Sequence, residues 1–264
     1  MRILAVGDVS GVVATEYIRR NLWKIRSAYS IDMAVVNGEN AAKGNGLDRD
    51  TVETLLASGA DVITGGNHIW HRHGFKDYID DLPYVLRPAN LPSCCPGTGS
   101  VIYDASGIRV LVISMLGSVF MPQLCASPFE TADRILEENA ARYDVCVVDF
   151  HAEATSEKAA FARYLDSRAS VVFGTHTHVQ TNDARILPNG LGFITDAGMV
   201  GVHESILGVK SECILEKFLT QMPVRFEEPE GEIRFCGAYF DIDTNAGGIC
   251  TKAQAICIDG EFGP

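Results

Sequence analysis

The sequence predicts an α/β protein, a layered αββα sandwich built as one domain over residues 1–264. Three observations carry this expectation. Strand-length apolar runs alternate with segments of helical period through the first two thirds, and that alternation implies parallel strands joined by crossovers. The remaining third reads as mainly β, which suggests a second sheet packed on the first. With 47% apolar and 21% charged residues, a chain of 264 residues can bury a large core without dividing.

Residues 2–7 are a strand stopped by Asp8. Residues 12–27 carry helical spacing, with Tyr17, Ile18, Leu22 and Ile25 on one side, and 31–36 form the next strand. Asp48 caps a helix ending near Leu56, and 61–64 return as a strand. A hairpin follows over 100–103 and 108–114, turning at 104–107. Then come a helix at 128–141, a strand at 145–150, a helix opened by Ser156 and a strand at 169–173. One helix near 211–220 interrupts the β-rich tail. Residues 88–99 and 227–232 read as surface loops.

The formal charge of −12 argues against a nucleic-acid-binding surface, which needs clustered Lys and Arg. An anionic substrate would have to be drawn in locally, by metal ions. The apolar run before Asp8 is too short for a signal-peptide core, and no stretch reaches membrane-spanning length. The expected location is therefore cytoplasmic. Eight cysteines then read as free thiols acting as small buried hydrophobes. A homo-oligomer is compatible with everything above.

Four polar clusters sit directly after strand-like runs: Gly7-Asp8, Gly38-Glu39-Asn40, Gly66-Asn67-His68 and Gly174-Thr175-His176-Thr177-His178. Carboxylate and amide oxygens combined with imidazoles suit manganese, iron or zinc, and strand ends are where open α/β sheets place ligands. In extended backbone His176 and His178 point the same way, about 6–7 Å apart. Two ions roughly 3.5–4 Å apart fit that spacing. Asp8 and Glu39, taken alone, could be ordinary strand-end or capping residues. Glu39, in a turn followed by Gly44 and Gly46, is the natural bridge between two cations. Asn67 offers a neutral amide oxygen, a weak ligand unless geometry forces it. His68 cannot easily reach the ion that Asn67 binds, which frees it for proton transfer. His151, alone, would be structural; beside the other clusters it reads as a ligand. His71 and His73, at the expected start of a helix after His68, read as solvent-facing or supporting, His203 as a candidate for the cleft wall and Trp70 as core.

The order Asp, Glu-Asn, Gly-Asn-His, His, Gly-x-His-x-His resembles the calcineurin-like metallophosphoesterases, and within them the YmdB-like bacterial phosphodiesterases. The matching segments are Val36-Asn37-Gly38-Glu39-Asn40-Ala41-Ala42, Gly66-Asn67-His68-Ile69-Trp70, Arg87-Pro88-Ala89-Asn90, Val148-Asp149-Phe150-His151-Ala152-Glu153-Ala154-Thr155-Ser156-Glu157-Lys158 and Gly174-Thr175-His176-Thr177-His178-Val179-Gln180-Thr181. The resemblance implies two divalent or trivalent ions per chain. One would be held by Asp8, Glu39, Asn40 and His178, the other by Glu39, Asn67, His151 and His176. The wider superfamily has Asp-x-His in its first motif, whereas this chain has Asp8-Val9-Ser10, and Asn40 looks like the replacement. Exchanging imidazole for oxygen favours iron or manganese over zinc. His71 stands where this branch usually has an acid after the tryptophan.

The function expected is hydrolysis of a small phosphodiester or nucleotide by a metal-bridging hydroxide, with His68 as the catalytic residue. The substrates implied by the resemblance are 2′,3′-cyclic or 3′,5′-cyclic AMP. A phosphomonoesterase with the same site is one rival, and a metal-holding nucleotide sensor with little turnover is another.

Overall fold

A computed structural model describes residues 1–263. In chain order the elements are β1 (Arg2–Val6), β2 (Asp8–Val9), α1 (Gly11–Tyr29), β3 (Met33–Asn37), α2 (Arg49–Ala57), β4 (Val62–Thr64), β5 (Val85–Leu86), β6 (Ser100–Ala105), β7 (Ile108–Leu116) and α3 (Pro128–Glu138). They continue with β8 (Val145–His151), α4 (Thr155–Leu165), β9 (Val171–Thr175), β10 (Arg185–Ile186), β11 (Gly192–Ile194), β12 (Met199–Val202), α5 (Ser211–Thr220), β13 (Ile233–Asp243) and β14 (Ile249–Asp259).

Two sheets form. The first runs β2-β12-β13-β1-β3-β4-β5 with β14 on β13, and the second runs β10-β11-β9-β8-β7-β6. Their layering follows from the two-residue period of the strands. In β1, Ile3 and Ala5 face the second sheet while Leu4 and Val6 face α1, and in β8, Val145 and Val147 face the first sheet while Cys146 and Val148 face α3 and α4. Three buried apolar layers result, and the expected αββα order is the one observed.

The expected second sheet is placed differently. It is built from residues 100–194, whereas the long tail strands β13 and β14 return to the first sheet, where β13 lies antiparallel to β1 with Arg2 opposite Asp241 and Val6 opposite Gly237. The tail is a hairpin, and its inner strand completes the edge of β1 left open after β3 pairs on the other side. The first strand also ends earlier than expected. At Gly7 the chain leaves β13 for β12, and a Cβ there would lie 2.1 Å from the Gly198 carbonyl oxygen, so only glycine permits the crossing.

The local signals for helix starts hold. Asp48 accepts from the Thr51 N–H at 3.0 Å, and Ser127 does the same for α3 from Glu130. Helix α3 ends at Glu138, short of the expected 141, and α4 begins at Thr155 instead of Ser156. The helix expected after His68 is absent. Residues 68–74 form turns leading into two short 3₁₀ turns, Phe75–Asp77 and Ile79–Asp81, as Gly74 adopts φ of 85°. Not all cysteines are buried hydrophobes either: Cys94 and Cys257 are exposed. No helix among the described residues is long and apolar enough to cross a membrane.

Asp48→Ala should remove one cap and lower stability by about 0.5–2 kcal/mol. Chemical denaturation should give a lower midpoint with an unchanged slope; a changed slope would mean that the substitution altered the unfolded ensemble or the two-state transition, not only the cap.

Candidate metal centre

The inner faces of the strands are apolar along most of their length and turn polar at their C-terminal ends. Val35 is followed by Asn37 in β3, Val62 by Thr64 in β4, Val147 by Asp149 and then His151 in β8, and Phe173 by Thr175 in β9. The two-residue period puts all of these on the surface between the sheets. Asp149 collects them. Its carboxylate accepts from Asn37 Nδ2 at 2.9 Å, from Thr64 Oγ1, and from Thr175 Oγ1 at 2.7 Å, while Thr175 Oγ1 lies 2.9 Å from His151 Nδ1. Burial pushes the Asp149 carboxyl up to about 6, against the pull of the His151 charge and these hydrogen bonds.

Above this layer the expected residues come together. His151, fully buried, has Nε2 3.0 Å from Glu39 Oε1, 2.9 Å from Asn67 Oδ1 and 3.1 Å from His176 Nδ1. Glu39, His151 and His176 present donor atoms all within 4.8 Å of one another. A second corner lies alongside. Asp8 Oδ1 is 3.7 Å from His178 Nε2, and Asn40 Nδ2 is 3.2 Å from the same nitrogen. The outer ring nitrogens are occupied: His178 Nδ1 by the Leu207 carbonyl at 3.0 Å, His176 Nε2 by Glu153 at 3.2 Å, and His151 Nδ1 by Thr175. Such partners fix ring orientation and aim the remaining nitrogens inward.

The residues fit a metal ion. Ligand atoms about 2.0–2.2 Å from a common ion sit roughly 3 Å from one another, which is the spacing around His151 Nε2. Asp8 Oδ1 is buried without a hydrogen-bond partner, an unfavourable state for a carboxylate oxygen unless a cation faces it. Burial pushes the Asp8 carboxyl up, which marks the same cost. Burial alone would lower His151, but Glu39 and Asp8 outweigh it and hold the ring at about 9. His176 is driven down to about 3 by burial and by His151, and keeps its lone pair. The carboxyl of Glu39 lies well below its ordinary range, because His151 and His68 outweigh the burial that would raise it.

The route to His176 and His178 differs from expectation. Strand β9 ends at Thr175, and the two histidines have φ of 99° and 65°. They converge through a left-handed turn, not through an extended backbone. The loop is held from below by Asp196, which accepts from Thr177 N at 3.1 Å, from Thr177 Oγ1 at 2.8 Å and from the buried Lys158 at 2.7 Å. Lys158 also donates to the Thr175 carbonyl. Sequence reasoning gave no role to Lys158, Asp196, Glu153 or Asp149. A lysine on a helix reads as solvated, but an aspartate inside the apolar run 145–151 was a visible signal.

His68 stands at the rim. Its backbone N–H donates to Glu39 Oε2 at 3.1 Å, and its Nδ1 is 2.8 Å from Asn40 Oδ1. His71 is exposed, with its ring centroid 4.4 Å from that of His68; His73 is exposed and outside the cluster. Trp70 packs on the core, as expected, and His203 lines a cavity of about 290 Å³ together with His178.

This sandwich, with its cluster of acids, amides and imidazoles on the strand ends, is that of a calcineurin-like metallophosphoesterase, an enzyme class. The chain belongs to the YmdB-like protein family, whose model matches residues 4–256. It is 46% identical over 243 residues to the 2′,3′-cyclic-nucleotide 2′-phosphodiesterase of Bacillus subtilis strain 168, covering 92% of each chain. Among solved structures it superposes on a protein of Thermus thermophilus with a TM-score of 0.91 at 38% identity, covering 98% of this chain and all of that one. A phosphatase from Mycoplasma pneumoniae gives 0.90 at 32% identity, covering 99% and 94%.

Gly66 is where the geometry is tightest. A Cβ there would lie 2.1 Å from Glu39 Oε2 and 2.5 Å from His151 Nε2. Gly66→Ala should keep the circular dichroism spectrum and lose most bound metal by elemental analysis; full metal content would refute this packing. Lys158→Met should leave Asp196 buried and unpaired and cost about 3–5 kcal/mol in denaturant unfolding.

Proposed function

We propose that this protein is a dinuclear metal-dependent phosphodiesterase acting on small phosphodiesters, with 2′,3′-cyclic or 3′,5′-cyclic AMP as the substrate class. The observation that carries this reading is the convergence of Glu39, Asn67 and His176 on His151 Nε2, beside the unpartnered oxygen of Asp8. Asp8, Glu39, Asn40 and His178 would hold one ion. Glu39, Asn67, His151 and His176 would hold the other, with Glu39 shared. The name of the Bacillus subtilis relative supports a cyclic diester. The oxygen-rich first corner, with an amide in place of an imidazole, favours iron or manganese over zinc.

When bound, the ions would supply Lewis acidity, lowering the pKa of water and taking up phosphoryl charge. Asn40 divides its amide between His68 Nδ1 and His178 Nε2, so the ring of His68 is set by the corner that binds metal. One edge of His68 is thus occupied, and Nε2 remains for the substrate. From there it protonates the leaving alkoxide oxygen. Glu39, which receives the His68 backbone N–H, ties the position of this acid to the shared ligand.

Two measurements test the reading. Turnover of cyclic, linear and monophosphate esters at known metal content should favour diesters. Higher specificity constants for 5′-nucleotides would make the protein a nucleotidase, and no turnover at full loading would make it a sensor. His68→Ala should retain both ions and lose roughly 10²–10⁴ in rate on a ribose leaving group, with a smaller loss on a nitrophenyl ester that needs no proton. Equal losses on both esters would leave His68 with charge stabilisation only.

A further inference from the structure

Two thiols face each other in the wall of the cavity that His178 lines. Cys236 on β13 and Cys257 on β14 are direct partners in the antiparallel register. Their hydrogen-bonding class follows from their neighbours. The Cys236 carbonyl accepts from Gly7 N at 3.1 Å, so its backbone polar groups point toward β1, whereas the Ile233 carbonyl accepts from Gly260 N at 2.9 Å on the β14 side. Direction alternates at every residue of an antiparallel strand, and the two observations agree. Cys236 and Cys257 are therefore a non-hydrogen-bonded pair, with Cα atoms about 4.5 Å apart. That lies within the span of about 4.4–6.8 Å that a disulfide bridges.

The side chains of such a pair stand on one face of the sheet, and both cysteines line the cavity of about 290 Å³ with His178, Met199 and His203. Two residues toward the start of β13, the paired Arg234 and Asp259 join through two hydrogen bonds, which holds the strands in register beside the thiols. The two sulfurs are unequal. Cys257 is exposed and Cys236 buried, and burial followed by the neighbouring Cys257 pushes the Cys236 thiol up to about 12. An oxidant in solution meets Cys257 first.

We propose that Cys236 and Cys257 form a dithiol modification site that closes to an intramolecular disulfide on reaction with a small-molecule disulfide. The Cys257 thiolate attacks one sulfur of the oxidant; a mixed disulfide forms, the oxidant's own bond breaks, and the first small thiolate leaves and takes up the proton Cys257 gave. Cys236 then attacks the Cys257 sulfur, the mixed bond breaks, and the second small thiol departs with the proton of Cys236. Two protein thiols lose two electrons, and one small disulfide becomes two thiols. The second step is intramolecular across the strand pair, which compensates for the reluctance of the buried Cys236 thiol to ionise, and it quickens as pH rises.

The site does not depend on the phosphodiesterase reading, and its test does not use turnover. The folded protein is incubated with oxidised glutathione, free thiols are blocked with an alkylating reagent, and the intact mass and peptides are measured. The expected product has lost two hydrogens, carries no glutathione, links the peptides of Cys236 and Cys257, and reverts with dithiothreitol. Cys257→Ser, at an exposed position, should abolish the link. Cys236→Ala should let one glutathione accumulate on Cys257, and if that variant fails to fold the Cys257→Ser result decides. A glutathione adduct persisting on Cys257 of the unsubstituted protein, or a link formed at Cys94 or Cys95 instead, would overturn the proposal.

Discussion

The carboxylate of Asp149 is the point on which both sheets and the candidate metal centre depend. It lies on β8 of the second sheet, yet its donors come from β3 and β4 in the first sheet as well as from β9 beside it. A buried carboxylate without such donors would cost several kcal/mol, so the sheets are held at the one separation that lets all three reach it. The same Thr175 hydroxyl that donates to Asp149 meets His151 Nδ1. The orientation of the most buried imidazole is thereby a property of the sheet-to-sheet interface.

That arrangement explains why the site is rigid from beneath and open from above. Beneath lie Asp149, the Lys158–Asp196 pair and three apolar layers; above lie His68, His178 and the cavity with His203. The buried pair contributes position more than stability, since an apolar pair of the same volume could serve the core equally well. Its ammonium reaches the Thr175 carbonyl and its carboxylate reaches Thr177. The turn carrying His176 and His178 is thus anchored on both sides of the unusual backbone angles.

Much of this was legible in the sequence because short-range patterns carry it. The apolar run 145–150 and the cap at Asp48 are local facts, and polar residues directly after apolar runs mark strand ends wherever those strands pair. Asp8, Glu39, Asn40, Asn67, His151, His176 and His178 were singled out that way, and the structure brings their side chains together. The sheet that receives β13 and β14 was not legible, because pairing between residues 2 and 241 leaves no mark within either segment. The left-handed angles at His176 and His178 were hidden for a related reason. They are imposed by Lys158 and Asp196, which lie 17 and 19 residues from the Thr175 and Thr177 backbone groups they bind. Extended geometry was the wrong premise, although the two rings do converge.

The side-chain amide of Gln180 donates to the carbonyls of Ala197, Gly237 and Ile256. The exit of the histidine turn is therefore tied to both strands of the tail hairpin, while its entrance is tied through the His176 N–H to Asp8, 168 residues earlier. Contacts of such sequence separation are slow to form and close last. On the ribosome, the N-terminal acids and amides emerge long before β13 and β14 exist to hold the turn that faces them. A chain stalled before the hairpin would display Asp8, Glu39 and Asn40 without the geometry that would let them retain an ion.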